Sequence, residues 1–232
     1  MGEPLPAGAR ALADKLYGEA ARGQIVKLLP LTNASEKNLR LAADSFDRAR
    51  TPIVNLATFY STSPEIVLRL MRDLDQGSDY LQLIGMDPKV TSHVLVQLPE
   101  IGREFATDDF GKAVIGRAEF ADFEKLKWQI KLPDALFLLE PLIYDPDWTT
   151  TSKEVTIESE QGDRIRVTLE DKVEGKQILI RVLEFDGKAE FGEVRVMISQ
   201  HEITEIKNAT PDQTVLFETI DPGREISIRL FH

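Results

Sequence analysis

The stretch TPDQTVLFETIDPGREISIRLF, Thr210–Phe231, sets the reading of the chain. Val215 and Phe217 alternate with polar neighbours, and Ile226, Ile228 and Leu230 do so again after Asp221-Pro222-Gly223. Alternation at period two marks a strand with one buried face. Proline fixes one φ and glycine accepts the positive φ of a tight turn, so the spacing predicts the last hairpin of a β-sandwich.

The same pattern extends back to Lys153. In EVTIESEQGDRIRVTLE, Val155 and Ile157 face Ile165, Val167 and Leu169 across a Gln-Gly turn. Ile178, Ile180 and Val182 lead to an Asp186-Gly187 turn, followed by Val194, Val196 and Ile198. HEITEI adds a short strand. About seven short strands with polar alternate positions predict a two-sheet sandwich or an open barrel.

Before Tyr144 the apolar residues recur at three and four instead, which predicts short helices. STSPEIVLRLMRDLDQG gives the clearest one, with Ser63 as N-cap and Pro64 at the first helical position. Its core face would be Ile66, Val67, Leu70, Met71 and Leu74. Further helices are expected in residues 7–29, in TNASEKNLRLAADSFDRAR with Asn33 and Glu36 at capping-box spacing, from Asp87-Pro88 onward, and within residues 109–131. Cap-then-proline recurs at Thr51, Ser63 and Asp87, but its spacings match no standard helical repeat. The expected fold class is therefore α+β: an all-α domain over residues 1–146 and an antiparallel β-sandwich over 147–232, with the change of character between Tyr144 and Lys153.

Within Gln177–Leu230, VLEFDGKAEFGEVRVMI and then TPDQTVLFETIDPGREISIRL follow the order of a strand, a D-G turn, a strand with Val194 and Val196 after Gly192, and a final P-G turn. In this the region resembles the carboxypeptidase-regulatory-like domain, a transthyretin-like sandwich. Lys188-Ala189 stands where that family has a basic residue and proline, and Glu225 where it has an aromatic. The resemblance implies a non-catalytic structural or interaction module. Such sandwiches also occur in bacterial regulatory proteins, including anti-sigma-like ones. It carries no functional residue, because its motif is structural.

Composition narrows the chemistry. With no cysteine among 232 residues, disulfides, thiolate metal sites and cysteine nucleophiles are excluded, which fits a cytoplasmic location. No apolar run reaches the ~20 residues that span a bilayer. The N-terminus lacks a basic start before an apolar block, so no secretory signal is expected. Pro6 breaks the myristoylation pattern. A net charge of -11, from 39 acidic and 28 basic residues, opposes phosphate backbones and favours basic partners.

His93, expected inside a helix, and His201, expected to begin a strand, are not accompanied by a Gly-x-Ser-x-Gly elbow or a zinc-helix spacing. DLDQGSDY, with Asp73 and Asp75, fails as a calcium loop because Gly77 comes one place early and Ile84 holds the closing position. Glu158, Glu160 and Asp163 read as a solvated strand face. The Gly-Lys pairs lack the P-loop's earlier glycine. No catalytic, cofactor or metal residue is assigned.

One segment stands out. WQIKLPDALFLLEPLIYDPDW gathers Trp128, Leu132, Phe137, Leu138, Leu142, Ile143 and Tyr144 around two prolines beside the domain junction. It either glues the domains together or docks a partner. The expected function is a non-enzymatic regulatory or adaptor protein. It would bind and inhibit a basic protein partner, such as a sigma factor, with no direct nucleic-acid or membrane contact. The alternatives are a carboxylate hydrolase or lyase with an interdomain cleft, and a ligand-binding sandwich.

Overall fold

The computed structural model describes residues 23–31, 53–117, 125–140, 153–172, 175–189, 191–201, 203–218, 220–221 and 223–232. Its contacts form two compact units, one holding Ile25–Lys131 with His201–Thr204 and the other Leu132–Gln200 with Glu205–His232. The strand Ile203–Asn208 is described with the second, whose sheet it joins. Both are built of antiparallel strands, and among the described residues there is no α-helix. The all-α domain expected over residues 1–146 is thus overturned: the described part of that region is β.

The first unit comprises β1 (Ile25–Lys27), β2 (Leu29–Pro30), β3 (Ile53–Thr62), β4 (Glu65–Asp73), β5 (Ser78–Gly85), β6 (Leu95–Leu98), β7 (Arg103–Ala106), β8 (Lys112–Gly116) and β9 (Gln129–Lys131). They form a four-stranded sheet in the order β1-β9-β6-β7 and a five-stranded one in the order β2-β3-β4-β5-β8. Phe59 of the larger sheet meets Trp128, next to β9, with ring centroids 5.4 Å apart; both are buried.

The segment with the strongest helical signals is a hairpin. Ser63 and Pro64 form its turn, and Thr62 pairs with Glu65. Along β4 the buried residues are Ile66, Leu68 and Leu70, at period two, while Leu74 is exposed. Local propensity permitted a helix, but pairing with β3 on one edge and β5 on the other selects the strand. Asp87 does cap, accepting from Lys89 N at 2.9 Å, yet the capped element is a single 3-10 turn, Pro88–Val90. Of the helix expected within 109–131, the described residues form β8 and β9 instead, and the end of the 7–29 segment forms β1 and the start of β2. Residues 7–22, which hold the expected helix face, and 118–124 lie outside the described residues. Residues 32–50 lie outside the described residues.

The second unit comprises β10 (Ala135–Leu139), β11 (Lys153–Glu158), β12 (Arg164–Lys172), β13 (Gly175–Glu184), β14 (Arg195–Gln200), β15 (Ile203–Asn208), β16 (Thr214–Glu218) and β17 (Ile226–Phe231). They order as β10-β17-β14-β15 and β11-β12-β13-β16. One cluster of inward residues, including Phe137, Ile180, Phe217 and Ile228, fills the space between the sheets. Val155 pairs with Val167 and Ile157 with Ile165. Asp186 (φ 52°) and Gly187 (φ 68°) both take left-handed backbone at the tip of a two-residue turn, the geometry that follows the twist of paired strands.

Two features depart from the sequence reading. Strand β10, drawn from the supposedly helical region, pairs along its whole length with β17, so the unit begins before the 144–153 change of pattern. The Thr210–Phe231 stretch is not a hairpin either: β16 pairs with β13, and β17 with β14 and β10, in the other sheet. Gln200 holds this crossover, accepting from Asp221 N at 2.8 Å and donating to Asp221 O at 2.6 Å.

Asp163 fastens two turns of this unit. Its carboxylate accepts from Ser159 Oγ at 3.0 Å and from Asp186 N at 2.8 Å, and the residue is fully buried. Replacing Asp163 with alanine is expected to cost about 1–3 kcal/mol, the penalty for stranding buried donors. Urea unfolding followed by circular dichroism measures it; an unchanged midpoint would show that water takes over both bonds.

Candidate functional site

Several ionisable groups among the described residues are engaged in structure. His93 lies in a loop with φ 54°, not in a helix, and its Nε2 is 2.6 Å from Asp109 Oδ1. His201 occupies the turn ahead of β15. Asp79 is fully buried and takes a bidentate contact from Arg72, at 2.6 and 2.9 Å, which raises the arginine pKa. Glu100 is pushed below the usual carboxylate range by hydrogen bonds from Lys127, and Asp212 by those from Thr210 and Thr214. Burial and Asp73 raise Tyr80. Asp73 itself caps its turn, accepting from Asp75 N and Gln76 N at 2.9 Å each. Among the described residues no cluster of three His, Asp or Glu side chains could hold a metal ion.

The segment singled out for docking divides by strand parity. Trp128, Leu132 and Phe137 are buried, Trp128 in the first unit and the others in the second. Leu138 is 53% exposed. Leu142, Ile143 and Tyr144 lie outside the described residues. The side chain that sequence reasoning missed is Leu136, 41% exposed, which shares the outward face of β10 with Leu138. Opposite them on β17 stand Arg229 and Ser227. Arg229 Nη1 donates to Ser227 Oγ at 2.6 Å and to Ser199 Oγ at 2.9 Å, so the strand beside the two leucines is held by a polar network.

Asp134 and Glu140 bracket β10. Asp134 accepts from the backbone N–H of His232 at 2.8 Å and is thereby fixed at the strand entrance. Acidity concentrates in this part of the chain: from Leu132 to His232 there are 21 Asp and Glu against 11 Lys and Arg, whereas Ile25–Lys131 has 15 against 14. Two exposed leucines thus lie between carboxylates in the acidic part of the chain, with Arg229 opposite Leu136 on the neighbouring strand, and make an exposed apolar contact point.

A second exposed apolar point lies in the first unit. Phe110, 80% exposed, tops the turn between β7 and β8. Asp108 Oδ1 accepts from Phe110 N and Lys112 N at 2.9 and 2.8 Å, and Phe110 O accepts from Gln82 Nε2 at 2.6 Å. Gly111, with φ 72°, closes the turn where a Cβ would lie 2.8 Å from Leu83 O. The Asp-Asp-x-Gly turn signal was present in the sequence, but helical spacing on either side hid it.

No family model matches the chain, and no curated protein matches it. Among the described residues no helix is long and apolar enough to cross a membrane.

Proposed function

We propose that the chain is a non-enzymatic adaptor or inhibitory protein that binds a basic protein partner through its second unit. A sigma-type transcription factor is one partner of that chemistry. The observation that carries this reading is the coincidence of the acidic surplus with the exposed leucines of β10. Apolar contact supplies affinity, while the surrounding charge speeds encounter and disfavours acidic competitors. The proposal retains the resemblance to carboxypeptidase-regulatory-like domains, whose role as an interaction module would be the same; an eight-stranded, two-sheet unit supports it.

The test is affinity isolation on the full chain from its native host at low and high salt, with identification of what is retained. A protein of basic isoelectric point, held at low salt and released as the ionic strength screens the contact, is the expected result. Retention of nothing at low salt, or of a partner indifferent to salt, would overturn the reading.

A further inference from the structure

A sheet edge presents unpaired backbone N–H and C=O groups, and native proteins guard such edges with charge, proline, bulges or cover. Among the described residues the four sheets have eight edge strands. In the first unit, β1 carries Lys27, β7 carries Arg103 and Glu104, β2 ends in Pro30, and β8 has Lys112 and a register break against β5. In the second, β11 and β15 carry charges of both signs. At β16, Lys207 Nζ donates to Leu216 O at 2.9 Å, and Glu218 closes the strand. The remaining edge strand, β10, reads ALFLL and has none of these guards within it.

Its register with β17 runs unbroken over all five residues. Among the described strands none pairs on its other side. Both faces of β10 are apolar: Ala135, Phe137 and Leu139 point into the core, and Leu136 and Leu138 point out. Its flanks, Asp134 and Glu140, are acidic. A five-residue strand offers a template about 17 Å long.

We infer that the open edge of β10 accepts an extended segment of the basic partner, which joins the sheet as an additional strand beside β10. The inference rests on the proposed function and specifies how that partner is held. Main-chain bonds to β10 supply affinity, as in other strand-addition complexes, and alternate side chains of the added strand supply specificity. The segment is apolar over four or five residues, to continue the rows begun by Leu136 and Leu138. Lys or Arg flanks it, to meet Asp134 and Glu140. A second copy of the chain is the less suitable occupant, because each copy carries a net charge of -11 and an acidic flank at both ends of the strand.

The experiment uses the full chain and two fluorescein-labelled peptides sharing the core VTVIV, one flanked by Lys-Arg pairs and one by Glu-Glu pairs. Anisotropy is expected to show binding of the basic peptide at low salt, at least tenfold tighter than the acidic one. Amide hydrogen exchange should slow at residues 135–139 when the basic peptide binds. Leu138→Lys, which places a guarding charge on the exposed face, should weaken binding at least tenfold with an unchanged melting curve. Leu136→Lys serves the same purpose should Leu138→Lys shift the melt. No binding of the basic peptide, binding without new protection at 135–139, or self-association in sedimentation that protects those amides without peptide would each overturn strand addition. If a basic partner recovered by affinity isolation binds both variants as it binds the wild type, strand addition fails while the proposed function stands.

Discussion

Leu68→Ala is expected to destabilise the first unit by about 2–5 kcal/mol, while Leu74→Ala changes stability by no more than about 0.5 kcal/mol. The pair separates the two readings of one segment. As a helix, SPEIVLRLMRDLDQG would bury Leu74 and leave Leu68 off its core face. As β4 and the turn after it, the segment buries Leu68 completely and leaves Leu74 55% exposed. Leu68 lies between Phe59 on β3 and Leu83 on β5 in the ladder. Truncating it removes contacts on both sides and leaves a cavity in the middle of the five-stranded sheet. Guanidinium titration of the two variants reads the difference directly. A larger loss for Leu74→Ala would return the segment to a helix.

Phe59→Ala should cost about 3–5 kcal/mol, the range for deleting a buried aromatic ring. Phe59 is wholly buried and tilted at 40° against Trp128. Part of its contribution is the aromatic pairing itself, about 0.5–1.5 kcal/mol beyond buried area. The variant is therefore expected to alter tryptophan emission as well as the unfolding midpoint, because Trp128 loses its neighbour. A midpoint within about 1 kcal/mol of wild type, below the usual range for such truncations, would mean that the two sheets do not meet at this pair.

The second unit was legible in the sequence where strands have one wet face. Val155, Ile157, Ile165 and Val167 alternate cleanly, and their pairing follows that alternation. The first unit was not legible because its strands satisfy two periods at once. Apolar residues at 66, 67, 68, 70 and 71 fit a helical stripe as well as a buried strand. Ser63-Pro64 and Asp87-Pro88 are turn formers and helix starts alike, and Asp87 makes the expected cap bond on an element one turn long. What decides between the readings is pairing between β3, β4 and β5, and no local window contains it. The quoted stretch failed differently: its two strands were visible, but their assignment to separate sheets depends on β13, β14 and β10. The candidate site shared that fate. Leu138 was singled out and Leu136 passed over, because ALFLL is apolar throughout and shows no period. Only the register with β17, which places Phe137 against Ile228 and Leu138 against Ser227, reveals which leucines face outward.

That register also sets an order of events during synthesis. Strand β17 sits inside its sheet, between β10 and β14, although it is the last described strand to leave the ribosome. Until it arrives, β10 has no partner on either edge, and its wait spans about 90 residues, on the order of 5–20 s at ordinary elongation rates. During that interval ALFLL is an exposed apolar segment of the kind that chaperones retain and proteases sample. A nascent chain released before β17 would leave Phe137 and Leu139 without the strand against which they are buried, whereas Leu136 and Leu138 stay exposed in both states.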